Sequence, residues 1–414
     1  MLRLGKFSFY VLLFLSGILA NSLIYNIFQV LNKSKSERIL SQNLNYWRQE
    51  ETVESNDAFF ERMASVLTQK LAAVTDSEKT ENFVSCINEE VIGNSCASTG
   101  CLRLQLPTSV RERVNQLVRP SQLHLSDNIT TVLREMRAQV PGTYEIIVVT
   151  ATSSNHFEEA KSMISNVRVN LLPHLNNVTF IVYNLGLTED EALQLSSNCN
   201  CLLIRFPFEK FPPHVSYLKC YTWKPIIVNA HITQTHLLLW ADASIRFHQD
   251  FKHTADLLER ARTRGLQVGW SPNSIAYQTL QSTFHFFGDE ACAYQPYMSS
   301  LNAVIVFYNE EFVRRLILEP WSACAMSSQC MCPADEQDLQ AIRISCHKRK
   351  GKYDYGICHR FDQSALSIIG TKLYQGLVRH IFLQDLRNFV DVRRGDKVIE
   401  KGAPFYKNEL SKLL

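Results

Sequence analysis

The chain has 414 residues, of which 46% are hydrophobic, and its 43 basic and 40 acidic side chains give a formal net charge of +3. This length suffices for one large domain or two modest ones, and the near balance of charge excludes a general preference for nucleic acid. All 12 cysteines follow residue 85, which favours disulfide bonds in an oxidising compartment. Cys199 and Cys201 lie close together on the approach to a strand, and we expect them to bond to different partners.

The first strong signal along the chain is an uncharged apolar segment over residues 7–31. It is long enough to span a bilayer, and Arg3 and Lys6 before it place residues 1–6 in the cytosol. We therefore expect the signal anchor of a single-pass type II membrane protein of the Golgi or ER, with a signal peptide cleaved after Ala20 as the alternative.

Residues 32–140 are rich in Ser, Asn, Gln and Glu and predict a stem that holds a catalytic domain off the membrane. A Pro-Gly turn signal then marks the start of a lumenal domain over residues 141–414. Asn128 and Asn177 each begin an Asn-x-Thr sequon, which predicts N-glycosylation in the lumen.

From residue 144 onward, apolar β-branched runs alternate with helical patterns. Four runs predict strands, at residues 145–150, 178–183, 201–206 and 235–240. Helices are predicted between them, at 157–172, from Thr188 with Glu191 at the capping-box position, and at 217–232. This alternation predicts an α/β fold with a mainly parallel sheet flanked by helices. Ligands of such sheets bind beyond the carboxyl ends of the strands, here the loops at 150–156 and 241–244.

No glycine-rich nucleotide motif and no nucleophile elbow is present in the sequence, which removes the main support for an oxidoreductase, a P-loop sulfotransferase or a hydrolase. A basic run between residues 343 and 352 is interpreted either as a solvated loop or as a grip on a diphosphate.

The fourth predicted strand ends in the pentad Trp240-Ala-Asp-Ala-Ser. On an extended chain, Asp242 and Ser244 would point to the same face, and a carboxylate there could hold a cation that binds a diphosphate. This strand end resembles the Asp-x-Asp motif of the GT-A glycosyltransferases. The segments VVTATSSNHFEEA and YTWKPIIV, with the same strand end, are also similar to a group of nematode type II membrane proteins that contain a domain of unknown function.

The resemblance covers about residues 144–375 and implies a GT-A-like fold. It implies a hexosyltransferase type of glycosyltransferase, which moves a sugar from a nucleotide-sugar donor to a glycan or glycoprotein acceptor. Ser244 replaces the second Asp of the motif. Either Asp242 binds Mn²⁺ or Mg²⁺ with help from a later side chain, or no metal is used. A catalytically inactive, membrane-tethered carbohydrate-binding or scaffold protein is the alternative function.

Other candidate residues surround this strand end in the predicted fold. Lys224 offers a point charge for phosphate, Tyr297 an apolar platform for a sugar ring, and Asp362 a base at a helix start that resembles the Asp-Gln helix start of several GT-A families. The predicted set comprises catalytic Asp242 and Asp362; donor-binding Thr150, Ser153, Lys224, Asp242 and Ser244; acceptor-binding Tyr297, Ser300, Asn302 and Gln363; and metal-binding Asp242 and His359. A turn-capping role for Asp242 and a structural role for His359 remain open alternatives.

Overall fold

A computed structural model of the chain describes residues 56–75, 106–107, 109–333, 338, 342, 346 and 358–395. The predicted anchor and the basic side chains between residues 343 and 352 lie outside this part of the chain. None of the helices within the described residues is long and apolar enough to cross a membrane.

A seven-stranded sheet in the order β3-β2-β1-β4-β7-β6-β8 forms the centre of the fold, and β5 and β9 form a small second sheet. The strands are β1 (Tyr144–Thr152), β2 (Val178–Asn184), β3 (Leu202–Arg205), β4 (Thr235–Ala241), β5 (Ile245–Phe247), β6 (Leu266–Ser274), β7 (Met298–Tyr308), β8 (Phe382–Leu383) and β9 (Val390–Val392). The first four strands are parallel, as predicted, and β7 is antiparallel to both β4 and β6. The prediction of a mainly parallel α/β sheet is confirmed.

The helices of the described residues follow in chain order. They are α1 (Asn56–Thr75), α2 (Val110–Val118), α3 (Asp127–Ala138), α4 (Phe157–Asn170), α5 (Glu189–Asn198), α6 (Trp223–His231), α7 (Phe251–Arg264), α8 (Gln281–Phe286), α9 (Glu311–Val313), α10 (Glu319–Met326) and α11 (Asp362–Tyr374). A π-helical turn at Arg314–Leu318 joins α9 to α10. The capping box at Thr188 and Glu191 is confirmed at the start of α5. The helix predicted over 217–232 begins only at Trp223, because Tyr221 has a left-handed backbone (φ 55°) that interrupts it.

The central strands are buried on both faces, as their apolar sequences predict. Val148 of β1, Val182 of β2 and Leu239 of β4 belong to one core cluster, which Met163 of α4 joins. Because side chains alternate along a strand, Trp240 points to the opposite face, where it is fully buried. The sheet is thus a rigid platform for the residues that follow β1 and β4.

Close approach of the backbones shapes the neighbouring strand β6. A Cβ atom at Gly269 would lie 2.5 Å from Leu386 Cδ2 and 2.9 Å from the carbonyl oxygen of Leu301. The pairing of β6 with β7 also shifts register at this point. Glycine is therefore required here for space and not for a left-handed backbone.

The segment before residue 141 contributes to the same folded body. Arg113 of α2 donates to the carbonyl oxygen of Leu373 on α11 (3.2 Å), and Lys372 donates to Gln116 on α2 (2.8 Å). Arg137 of α3 donates to the Thr233 hydroxyl (2.6 Å). Residues of α2 and α3 are therefore hydrogen-bonded to later parts of the same folded body.

The cysteine pairing differs from expectation at one pair. The bonds among described residues are Cys199–Cys201, Cys220–Cys332, Cys324–Cys330 and Cys346–Cys358. The expectation that Cys199 and Cys201 bond to different partners is wrong. Asn200 between them has φ 48°, a left-handed conformation that asparagine tolerates, and the two Cα atoms lie 5.2 Å apart.

Candidate active site

A cleft with a volume of about 680 Å³ opens beyond the carboxyl ends of β1 and β4. In the order β3-β2-β1-β4, the strands β2 and β3 extend the sheet on one side of β1, and β4 lies on its other side. The connections that follow β1 and β4 therefore diverge, and the crevice lies between them. Such a switch point is the usual ligand site of open α/β sheets. Both loops predicted to face the ligand line the cleft, with Ser153 after β1 and with Asp242 and Ser244 after β4.

Asp242 follows directly after β4 and is held by a neighbour on the same strand. Trp240 Nε1 donates to Asp242 Oδ1 at 2.8 Å, and the side chain of Asp242 remains 35% exposed. The backbone N–H of Ile245 donates to the carbonyl oxygen of Asp242 (3.0 Å), which closes a turn. The extended geometry predicted from Asp242 to Ser244 is therefore wrong in detail, although both residues line the cleft.

Lys224, in the first turn of α6, lies between two carboxylates at the floor of the cleft. Its Nζ is 3.0 Å from Asp242 Oδ1 and 3.2 Å from Asp362 Oδ2, and it donates to the carbonyl oxygen of Asn302 at 3.0 Å. An ammonium group has three N–H donors, so these three acceptors use all of them. In this arrangement Lys224 has no donor left for the phosphate contact predicted for it, and it acts by holding the two acids.

The charge of Lys224 is stabilised although the residue is only 2% exposed. Burial lowers its pKa, but the attraction of Asp242 and Asp362 outweighs burial and raises the pKa above its ordinary value. The rings of Tyr221 and Trp240 add cation–π contacts, with centroids 5.6 Å and 5.3 Å from Nζ. The ammonium group of Lys224 therefore stays charged beside the half-buried carboxylate of Asp242.

Asp362 begins α11 and is 3% exposed. Asn302 Nδ2 donates to its Oδ2 (3.0 Å), and Trp321 Nε1 donates to its carbonyl oxygen (3.0 Å). Burial raises the pKa of Asp362 above its ordinary value, Lys224 opposes this rise, and the charge of Asp242 adds to it. A carboxyl group with a raised pKa is suited to exchange a proton with a bound hydroxyl.

A chain of amide and hydroxyl groups positions the second wall of the cleft. Asn302 and Gln363 line it, whereas the fully buried Ser300 lies behind them. Ser300 Oγ donates to Asn302 Oδ1 (2.7 Å), and Gln363 Nε2 donates to the carbonyl oxygen of Ser300 (2.6 Å). Ser300 thus supports its neighbours and does not itself reach the cleft.

Two further predicted residues are placed away from the described lining of the cleft. Thr150 is fully buried within β1. Tyr297 lies against the buried Tyr294, with ring centroids 6.5 Å apart. Tyr297, predicted to offer a platform for a sugar ring, is therefore not among the residues that line the cleft.

His359 lines the cleft, but its ring is used by the protein. Nε2–H donates to the carbonyl oxygen of Met331 (3.2 Å), and Nδ1 accepts from the N–H of Leu280 (3.4 Å). Complete burial lowers the pKa of His359 to about 4, so the ring is neutral. In this arrangement no ring nitrogen of His359 is available for the metal-binding role predicted for it.

The described residues do not fit a divalent cation. They contain no group of three or more His, Cys, Asp or Glu side chains that could hold a metal ion. Asp242 Oδ1 and Asp362 Oδ2 are already paired with Lys224, and Ser244 contributes no charge. The ammonium group of Lys224 therefore lies between the two acids, within 3.2 Å of one oxygen of each.

The residues that follow β9 form one wall of the cleft, which no sequence pattern predicts. The N–H of Arg393, just after β9, donates to the carbonyl oxygen of Ser244 (2.7 Å), and the N–H of Gly395 donates to Glu159 Oε1 (3.1 Å). Exposed Arg394 and exposed Lys219 also line the cleft. A three-residue strand followed by charged residues has no periodicity that could have revealed this wall.

Comparisons with known proteins match only part of the chain by sequence. Residues 112–229 match the family described as "Protein of unknown function (DUF1647)". No curated protein matches the chain at a significant level.

Several solved structures align with the chain at low similarity. The bifunctional glycosyltransferase WbbM aligns at 12% identity and a TM-score of 0.31. This alignment covers 56% of the present chain and 37% of WbbM. The galactosyltransferase LgtC, solved with donor and acceptor sugar analogues, aligns at 13% identity and a TM-score of 0.31 over 64% of this chain and 94% of its own. Core-mannan synthase A from Aspergillus fumigatus, in a Mn/GDP form, aligns at 9% identity and a TM-score of 0.30 over 65% and 84% of the two chains. At these TM-scores the alignments carry no weight for the function of this chain.

Proposed function

We propose that this protein is a glycosyltransferase that moves a sugar from a nucleotide-sugar donor to a glycan or glycoprotein acceptor. One observation carries the proposal: the half-buried carboxylate of Asp242 and the buried carboxyl group of Asp362 converge on Lys224 at the floor of a cleft at the switch point of a mainly parallel sheet. The position suits a nucleotide, and the pair of acids suits chemistry at a sugar carbon.

The reaction breaks the bond between the sugar carbon C1 and the phosphate oxygen and forms a bond from C1 to an acceptor hydroxyl oxygen. The bonding electrons leave with the nucleoside diphosphate, and the hydroxyl proton passes to a base. Asp242 would stabilise positive charge on the sugar ring, while Asp362, with its raised pKa, would contact the sugar or accept the proton.

The remaining contacts follow from what lines the cleft. Ser153 and Ser244, at the ends of β1 and β4, would bind the donor, and Asn302 and Gln363 would bind sugar hydroxyls on the opposite wall. The exposed cations Lys219 and Arg394 at the rim would attract the diphosphate.

We further propose that the domain works in the lumen of the Golgi or ER, as part of a single-pass type II membrane protein. The supporting observations are the apolar segment at residues 7–31, the four disulfide bonds among the described residues, and the exposure of Asn128 and Asn177. Both asparagines lie on the surface of the folded body, where a glycan can be attached without disturbing the core.

The test is nucleotide release from a panel of nucleotide-sugars by the wild-type protein and by Asp242→Asn. The substitution keeps the shape of the side chain and removes its charge, so turnover should fall by about 10²- to 10³-fold while the fold survives. Asp256→Asn, an exposed acid on α7 outside the cleft, is the matched control and should retain wild-type turnover. Near wild-type turnover of Asp242→Asn would refute the catalytic role.

A second function, a catalytically inactive carbohydrate-binding protein, is favoured by one observation. Lys224 already pairs with both acids, and Ser244 stands where a second acid would be expected. This function predicts glycan binding on an array without nucleotide release from any donor. The two proposals are therefore separated by the same panel of nucleotide-sugars.

A further inference from the structure

We infer that Lys224 takes the place of a divalent metal ion in this cleft, so that the protein binds its nucleotide ligand without Mn²⁺ or Mg²⁺. The inference rests on the proposed function for the nature of the ligand, but its statement about metal binding can be tested without any turnover.

One oxygen of each carboxylate already has partners within the protein. Asp242 Oδ1 accepts from Trp240 Nε1 and faces Lys224 Nζ, and Asp362 Oδ2 faces the same Nζ and accepts from Asn302 Nδ2. A Mg²⁺ ion requires several oxygen ligands at about 2.0–2.1 Å in near-octahedral geometry. To reach both acids, it would have to displace the ammonium group from between them.

The groups that surround the ammonium group of Lys224 suit a lysine better than a metal ion. Two aromatic rings, those of Tyr221 and Trp240, lie within 5.6 Å of Nζ. Aromatic faces attract an organic cation but supply no ligand oxygen to a hard metal ion. The carbonyl oxygen of Asn302 completes the three acceptors of the ammonium group. The site is therefore built around a lysine and not around a hydrated metal ion.

The positive charge of Lys224 also disfavours a divalent cation at this position. Lys224 is 2% exposed, so a dication beside it would face a like charge with little screening by water. Lys224 already offsets one of the two negative charges of Asp242 and Asp362, and Ser244 adds none. The cations left to meet a diphosphate among the described lining residues include Lys219 and Arg394, which lie at the rim where they are exposed.

The direct test is titration of Mn²⁺ into the full-length protein, with free Mn²⁺ followed by electron paramagnetic resonance. Wild type should bind no stoichiometric Mn²⁺, and Lys224→Ala, which opens space between the acids and removes the positive charge, should bind one equivalent at least about tenfold more tightly than wild type. Asp242→Asn in the Lys224→Ala background should abolish this new binding.

A second measurement does not depend on whether Lys224→Ala folds. UDP and GDP are each added to wild type in EDTA and in Mn²⁺, and the melting temperature is recorded. An equal rise in the two solutions supports the inference. A rise that appears only with Mn²⁺ overturns it, as does one equivalent of Mn²⁺ bound by wild type and lost in Asp242→Asn.

The failures of the two proposals can be distinguished. If neither nucleotide changes the melting temperature and no nucleotide-sugar is consumed, the proposed function fails, while the Mn²⁺ titration of wild type still decides whether a lysine or a metal ion neutralises the acids.

Discussion

Replacing Lys224 with methionine tests the central electrostatic claim, because it keeps the length of the side chain and removes the charge. The loss falls mainly on Asp362, whose side chain is 5% exposed and would become a buried carboxylate without its cation. Breaking such a buried pair costs about 3–5 kcal/mol. Asp242 is 35% exposed and contributes at most about 1 kcal/mol more. We expect a loss of unfolding free energy in this range at pH 7.

The loss of unfolding free energy caused by Lys224→Met should depend on pH in a defined direction. Without Lys224, the pKa of Asp362 rises further above its ordinary value of 3.8. A group with a raised pKa contributes stability below its unfolded pKa and loses it as the pH rises through its folded pKa. The difference between wild type and Lys224→Met should therefore be small near pH 4 and grow toward pH 7. In wild type, the raised pKa of Lys224 predicts a loss of stability as the pH rises above 10.5 and through the folded pKa, which the variant should lack.

The assay is urea denaturation under non-reducing conditions at several pH values. Lys219→Met, an exposed lysine on the same cleft, is the matched control and should change stability by less than about 0.5 kcal/mol. Adding Asp362→Asn to Lys224→Met should recover part of the loss, because it removes the unpaired charge. A loss for Lys224→Met that is below 1 kcal/mol, or one that is independent of pH, would refute the claim that Lys224 neutralises a buried acid.

Three further predictions concern the body of the protein. Gly269→Ala should destabilise the protein by about 1–3 kcal/mol in chemical denaturation, because the new methyl group would overlap a neighbouring side chain and a carbonyl oxygen. Gly376→Ala is the control and should be nearly neutral, because nothing lies within 4 Å of the added atom. Equal effects of the two substitutions would contradict the packing argument. Thr188→Ala should cost about 1 kcal/mol by removing the cap of α5, and no change in the denaturation midpoint would contradict the capping box. Asn128→Gln combined with Asn177→Gln should abolish the mobility shift on endoglycosidase treatment, and absence of that shift in wild type expressed through the secretory pathway would refute lumenal exposure.

Local patterns predicted the parallel half of the fold because each feature depends on neighbouring residues. The four apolar runs became β1 to β4, and the capping box at Thr188 starts α5 as expected. The position of Asp242 at a strand end could be predicted for the same reason. The short strands β5, β8 and β9 could not, since two or three residues show no periodicity.

The functional arrangement was less accessible from sequence, because it depends on contacts between distant segments. The three acceptors around Lys224 come from the end of β4, from β7 and from the start of α11. The residues next to Lys224 in the sequence cannot reveal that all three of its N–H donors are used. Likewise, the bond between Cys199 and Cys201 depends on a left-handed backbone at Asn200, which is a property of one residue's conformation and leaves no pattern.

The wall formed after β9 affects when during synthesis the cleft can form. A nascent chain grows from its N-terminus, so β1 to β4 are made well before β9, and the hydrogen-bonded residues Glu159 and Gly395 are 236 positions apart. The parallel strands can therefore pair while this wall does not yet exist, and the loop that carries Asp242 gains its anchor at Arg393 only after translation has passed β9. A ribosome stalled before Val390 would hold a sheet with an open, unfinished cleft, so completion of the cleft is a late and separate step of folding.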